Sequence, residues 1–180
     1  TTVDDSDEDD NTVEAPIPPK PPPIISAVTS HRQLSSQVHS DETKPTQAEL
    51  DSHADTCSFG KGAYLVADTG QTITVSGFID SLGTVEQVPI VTAAVAYDDP
   101  DSYQTFVLFF HQALYFKQMK KHLICPAQLR TNQITVNEVP LLHLPVEDRS
   151  HASHSIITNP PHPELHIPLY LQGTTSYFKV

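Results

Sequence analysis

The placement of proline constrains this chain more than any other feature. Sixteen prolines stand against six glycines, and most of the prolines lie near the two ends. Proline fixes φ and removes a backbone donor, so a dense run of it enters neither a helix interior nor the middle of a sheet. Three zones follow. Residues 1–45 open on Asp4, Asp5, Asp7, Glu8, Asp9, Asp10 and Glu14, pass through Pro16, Pro18, Pro19, Pro21, Pro22 and Pro23, and continue rich in Ser, Thr and Gln. Self-repelling charge and scarce apolar side chains do not offset ordering entropy, which predicts a disordered linker or extended polyproline II. Within it, Ile24, Ile25, Val28 and Leu34 could add a short strand or helix to a neighbour. Residues 145–180 form a second proline- and histidine-rich segment, read as a tail. There His166–Leu171 alternates with period two and could pair with Thr174–Phe178 around Gly173, with Pro168 limiting the hairpin to an edge.

Between these ends, residues 46–144 hold the apolar runs, and the runs are short. Tyr64–Ala67 and Thr72–Val75 flank Asp68-Thr69-Gly70-Gln71, which reads as a hairpin turn. Val88–Tyr97 is a longer strand with Pro89 at its start, and Thr105–Phe110 is the most apolar run, expected as a central strand that Ala113–Phe116 extends or follows. One helix is expected, over Pro126–Arg130, where proline suits the first helical position. Ile134–Val136 closes the zone as another strand. Short strands with intervening turns and a single helix predict an all-β domain, barrel-like or sandwich-like.

Charge and cysteine content narrow the function classes. A formal charge of −12 argues against a nucleic-acid surface, which needs clustered Lys and Arg over phosphates. The two cysteines, Cys57 and Cys125, form no disulfide framework and read as reduced thiols of an intracellular protein. No apolar run approaches the roughly 20 residues that span a bilayer, so no membrane contact is expected. The sequence begins with Thr1 and its single Met is Met119, as expected of a piece processed from something longer.

The segment Ala48–Cys57 carries the chemistry. An apolar approach strand delivers Asp51 onto a tight loop of small residues, Ser52, His53 and Ala54, which can aim one carboxylate at another. Two carboxylates in contact cannot both ionise, so they share a proton. One then activates a water against an amide carbonyl while the other polarises that carbonyl. Asp55 is a further carboxylate nearby, better suited to bonding the loop backbone.

Leu50-Asp51-Ser52-His53-Ala54 resembles the hydrophobic-Asp-Ser-Gly-Ala signature of retropepsin-like aspartic proteases. The text that follows is similar to the protease region of copia-type retrotransposon polyproteins, on Ala113-Leu114-Tyr115-Phe116, His122-Leu123-Ile124-Cys125, Gln128-Leu129-Arg130 and Ile134-Thr135-Val136. The resemblance covers roughly Leu50 to Glu138. It implies a small acid-protease half-barrel with one short helix, working without a cofactor as a homodimer. Each chain would supply one Asp51, with Ser52 pinning the loop across the dimer. It further implies a polypeptide substrate, the chain's own polyprotein, and a place in the cytoplasm or a virus-like particle. A flap would close over that substrate, on Ser76, Gly77 and Phe78 through Gly83, whose glycines allow opening.

This sequence departs from the family at His53, where the signature has glycine. An imidazole there bears on the approach of the symmetry mate, and leaves open an inactive domain that serves as a structural or interaction module. Asp68-Thr69-Gly70 is a literal Asp-Thr-Gly and a competing catalytic site, but Gln71 stands where a small residue is expected and the flanks read as a turn. A zinc reading also exists, on His53, Cys57, His122 and Cys125, although the spacing fits no common module and the thiols read more simply as core. The late histidines, His143, His151, His154, His162 and His166, read as solvated. So does the basic cluster of Lys117, Lys120 and Lys121. Phe106, Phe109, Phe110 and Phe116 read as core.

Overall fold

The computed structural model describes residues 25–30, 47–77 and 83–180. The acidic cluster and the Pro16–Pro23 run lie outside these residues. Within the zone read as linker, Ile25–Ser30 forms strand β1, whose Ile, Val and Thr favour an extended backbone. In chain order there follow β2 (Gln47–Leu50), β3 (Ser58–Phe59), β4 (Tyr64–Ser76), β5 (Thr84–Asp98), β6 (Thr105–Tyr115), β7 (His122–Ile124) and β8 (Thr135–Asn137). A short helix α1 (Pro126–Thr131) sits between β7 and β8. The last four strands are β9 (Ser155–Thr158), β10 (Leu165–Pro168), β11 (Tyr170–Gln172) and β12 (Thr175–Lys179). The fold is all-β.

The strands form two sheets. The larger runs β11-β12-β2-β7-β3-β6-β5-β4, with β1 also paired to β6, and the smaller runs β10-β9-β8. Among the described residues neither sheet closes on itself, so the barrel-like shape expected from the sequence is not a hydrogen-bonded ring. At the centre of the larger sheet, β2 lies parallel to β7, pairing Leu50 with Ile124, and β3 lies antiparallel to β7 and parallel to the end of β6. A parallel neighbour needs a crossover, so the chain leaves β2, builds the long hairpins, and only then returns beside it.

The long strands differ from the sequence expectation in one instructive way. Tyr64–Ala67 and Thr72–Val75 do not fold back on each other; both belong to the single strand β4, paired along its length with β5. Thr69, Gly70 and Gln71 bulge out opposite Ile90, between the Asp68–Val91 and Thr72–Pro89 pairs. Gly70 takes φ +73°, its N–H donates to Asp68 Oδ1 at 2.8 Å, and Thr69 Oγ1 donates to the Ile90 carbonyl at 2.7 Å. Asp-x-Gly can close this local loop within a strand as readily as it turns a hairpin. Pro89 is tolerated because β6 begins pairing with β5 only at Ile90, so its missing N–H interrupts no second ladder. Ala113–Tyr115 continues β6, but Gln112 at φ +55° re-phases it. Phe106, Leu108 and Phe110 face the core before the bulge, and Ala113 and Leu114 are buried after it.

One hydrophobic cluster serves both sheets. Phe59, Leu108, Phe110, Ile124, Leu129 and Phe178 are buried together with Ile156, Leu165 and Ile167 of the smaller sheet. Phe59 stacks tilted on Phe110 with centroids 4.8 Å apart, and Phe178 meets the edge of Tyr97 at 6.2 Å. Phe106 and Phe110 are core residues, whereas Phe109 and Phe116 are half-buried.

Residues 145–180 are thus built into the domain. β11 and β12 form a hairpin around Gly173 (φ +62°), and β12 adds to the free side of β2, pairing Tyr177 with Glu49. Pro168 lies in β10, an end strand of the smaller sheet. The period-two alternation that marks β10 and β12 is the pattern of a strand with one face on a core. His154 and His162 are buried, contrary to the solvated reading, while His143 and His151 are exposed. Truncating Phe178 to Ala should therefore destabilise the whole domain by about 3–5 kcal/mol, read as a lowered urea midpoint.

Candidate active site

Asp51 sits at the first residue after β2, where the strand ends beside β7. Its N–H donates to the Ile124 carbonyl at 2.9 Å, extending the β2–β7 ladder by one bond into the loop. The carboxylate is half-buried, and its Oδ1 accepts the His53 N–H at 2.9 Å. The Ala54 N–H turns back to the Asp51 carbonyl at 3.3 Å. Ser52 and His53 are exposed, with Ser52 Oγ 3.5 Å from His53 Nδ1. The positive-φ residues do not include His53, so a side chain at this position meets no backbone penalty within the chain. The Asp51–Ala54 loop therefore exists as expected from its residues, and the glycine of the family signature is not needed to form it.

A buried clamp fixes this loop from beneath. Cys125 precedes Pro126 and caps α1, its Sγ accepting the Gln128 N–H at 3.3 Å. The same thiol donates to the Ala54 carbonyl at 2.8 Å. The Cys125 N–H points to Cys57 Sγ at 3.3 Å, and the Cys57 N–H donates to Gln128 Oε1 at 2.7 Å. Burial pushes the Cys57 thiol up to about 12, so it stays protonated and uncharged at neutral pH. Sequence reading treated both cysteines as simple core residues and missed this role. The signal available was positional: Cys125 immediately before a helix-starting proline is an N-cap, and Gln128 three residues on faces back toward it.

The other candidates fall elsewhere. Asp68, Thr69 and Gly70 lie exposed on the β4 bulge, away from the Asp51 loop, with Asp68 Oδ1 accepting from the Gly70 N–H. Ser76 ends β4, the Gly77 N–H reaches the Gly83 carbonyl at 3.4 Å, and Gly83 takes φ +71°, while Phe78 lies outside the described residues. Asp55 is exposed beside the loop. Lys117, Lys120 and Lys121 are exposed, and Lys121 is ion-paired with Glu49 of β2. The zinc set does not converge: among the described residues His53, Cys57, His122 and Cys125 make no ligand cluster. A shallow cleft lined by Arg130, Val136, Glu138, Leu144 and His154 shares no residue with the Asp51 loop. No family model matches this chain, and no curated protein or solved structure matches it either.

His122 is the other buried polar residue of this region. It is fully enclosed, stacks tilted on Phe59 at 5.1 Å, and its Nδ1 accepts the Gly60 N–H at 3.2 Å. Its Nε2 is buried with no hydrogen-bond partner among the described residues. A Cβ on Gly60 would collide with the Met119 carbonyl, which keeps this backbone close-packed around the ring. Burial pushes the imidazole down to about 4, against 6.5 in the open chain. Between those values the unfolded chain holds more protons, so the stability present above pH 6.5 is lost as pH falls toward 4. Burial shifts His111 and His154 downward as well, adding to the same trend. Urea unfolding should show a fall on the order of 2 kcal/mol between pH 7 and pH 5 from His122 alone. The His122→Phe variant, although weakened by the orphaned Gly60 donor, should show a shallower fall.

Proposed function

We propose that this chain is a retropepsin-like aspartic endopeptidase that works as a homodimer, one Asp51 from each copy forming the catalytic pair. The observation that carries the reading is the position of Asp51. Its carboxylate leaves the end of a central strand half-exposed, on a loop closed by its own N–H bond to Ile124 and clamped by Cys125. Such a loop is rigid from below and open above, which is what holding two carboxylates at contact distance requires. Together the pair holds one proton. The ionised member takes a proton from water as the oxygen adds to the substrate carbonyl, and the protonated member donates to that carbonyl oxygen. Collapse breaks the peptide C–N bond and returns a proton to the leaving amine.

Two further features support it. The β4–β5 arm, with glycines at 77 and 83, supplies a flap for an extended peptide, and it carries exposed Leu65, Val66, Ile73 and Val85 that a second chain or a substrate would cover. The substrate we assign is the copia-type polyprotein of which the chain would be a part.

His53 favours a second reading, an inactive domain retained as an interaction module. Its imidazole is exposed beside the carboxylate, on the surface where a symmetry mate would have to approach. A precursor containing this chain, expressed beside its Asp51→Asn version, separates the two. The protease reading expects self-cleavage that the substitution lowers by a factor on the order of 10⁴, with a rate per chain that falls on dilution as dimers dissociate. Identical, uncleaved products from both would leave the module reading standing.

A further inference from the structure

We propose that Asp101, His151 and His166 form a zinc site that clips the β5–β6 turn of the larger sheet to the smaller sheet. One donor atom from each of the three lies within 4.8 Å of the other two. They come from far apart in sequence: Asp101 from the turn between β5 and β6, His151 from the turn before β9, and His166 from β10.

The decisive residue is His166. Its Nε2 lies 2.8 Å from the His151 carbonyl oxygen, which can only accept, so Nε2 carries the proton. In the neutral ring this leaves a lone pair on Nδ1, and Nδ1 is buried with no hydrogen-bond partner among the described residues. A ring nitrogen fixed by a backbone carbonyl with its other nitrogen free is the arrangement that orients histidine toward a metal. A buried unpaired acceptor is otherwise a net loss of stability. The His151 ring stacks on that of His166 with centroids 4.0 Å apart and planes at 28°, so the exposed His151 side chain must turn out of this stack to aim its lone pair at the same ion as His166 Nδ1. Asp101 brings the negative charge. Its neighbour Asp99 is committed to the turn, accepting from the backbone N–H groups of Asp101 and Ser102 at 3.3 and 3.2 Å and from the Ser102 hydroxyl.

Two imidazole nitrogens and one carboxylate oxygen select a borderline ion such as zinc over calcium or magnesium, which prefer all-oxygen shells. Tetrahedral bonds of about 2.1 Å place ligands about 3.4 Å apart, so binding requires the donors to close in and the His151 ring to rotate. Asp101 and His151 are exposed and can do so without disturbing the core. Water completes the shell. The site is independent of the Asp51 chemistry.

The chelator-treated full chain titrated with zinc chloride tests this, by calorimetry and thermal melting. One zinc per chain and a raised Tm are expected, with affinity lowered at least about tenfold in each of Asp101→Asn, His151→Ala and His166→Ala. His143→Ala and His53→Ala should match the parent. The first two variants alter exposed side chains, so their folding, checked by circular dichroism, stays intact if His166→Ala proves unstable. Cobalt substituted for zinc should give a tetrahedral spectrum without a thiolate charge-transfer band. Absence of zinc binding by the parent, unchanged affinity in Asp101→Asn or His151→Ala, or a loss confined to His53→Ala would overturn the proposal.

Discussion

The bond from the Asp51 N–H to the Ile124 carbonyl is the hinge on which this structure depends. It joins two strands separated by more than seventy residues of chain, and so closes a long loop in the larger sheet. Closing such a loop costs entropy before any contact offsets it. The offset comes from what gathers at the junction. Leu50 and Ile124 pack in the core, Cys125 caps α1 and donates to Ala54, and Gln128 accepts from Cys57. Every polar group in this clamp is uncharged. A thiol as N-cap and a glutamine as acceptor hold the loop without burying an ion, which spares the desolvation that a buried salt bridge would bring.

The same junction explains why the C-terminal residues belong to the domain. β2 is only four residues long, and with β7 alone it would leave a bare edge next to the Asp51 loop. β12 covers that edge and sets Phe178 over Tyr97 in the core. Strand edges left open invite foreign pairing, so the covering strand protects the residues that matter most. The β8–β9–β10 sheet then seals the same cluster from the other side with Val136, Ile156 and Ile167.

What the sequence made legible were features with a local physical signature. The all-β character followed from short apolar runs. The one α-helix among the described residues followed from Pro126, and the loop after β2 followed from an apolar strand running into small residues. What it hid depended on contacts between distant segments. The Asp68–Gln71 stretch has identical chemistry whether it turns a hairpin or bulges within one strand, and only the register with Ile90 decides. His122, His154 and His162 look like any polar residue in a proline-rich or loop setting, and their burial is set by Phe59, Ser176 and the Asn132 carbonyl, which they meet across the fold. The proline count misled for the same reason. It correctly excludes helix and central strand for Pro168, but an end strand accepts proline, and the alternation around it outweighs the composition.

The core and the proposed chemistry pull in opposite directions along the pH axis. A carboxylate pair sharing one proton works between its two titration steps, a range that lies mostly below neutrality. The fold is strongest where His122 is neutral, and it weakens as pH falls from 6.5 toward about 4, where the unfolded chain takes up the proton more readily than the folded one. In the dimer we propose, acid would therefore weaken each half through His122. The ring stands one strand away from Asp51, paired through Ala48 of β2, so the strand that presents the carboxylate is also the strand that feels the loss.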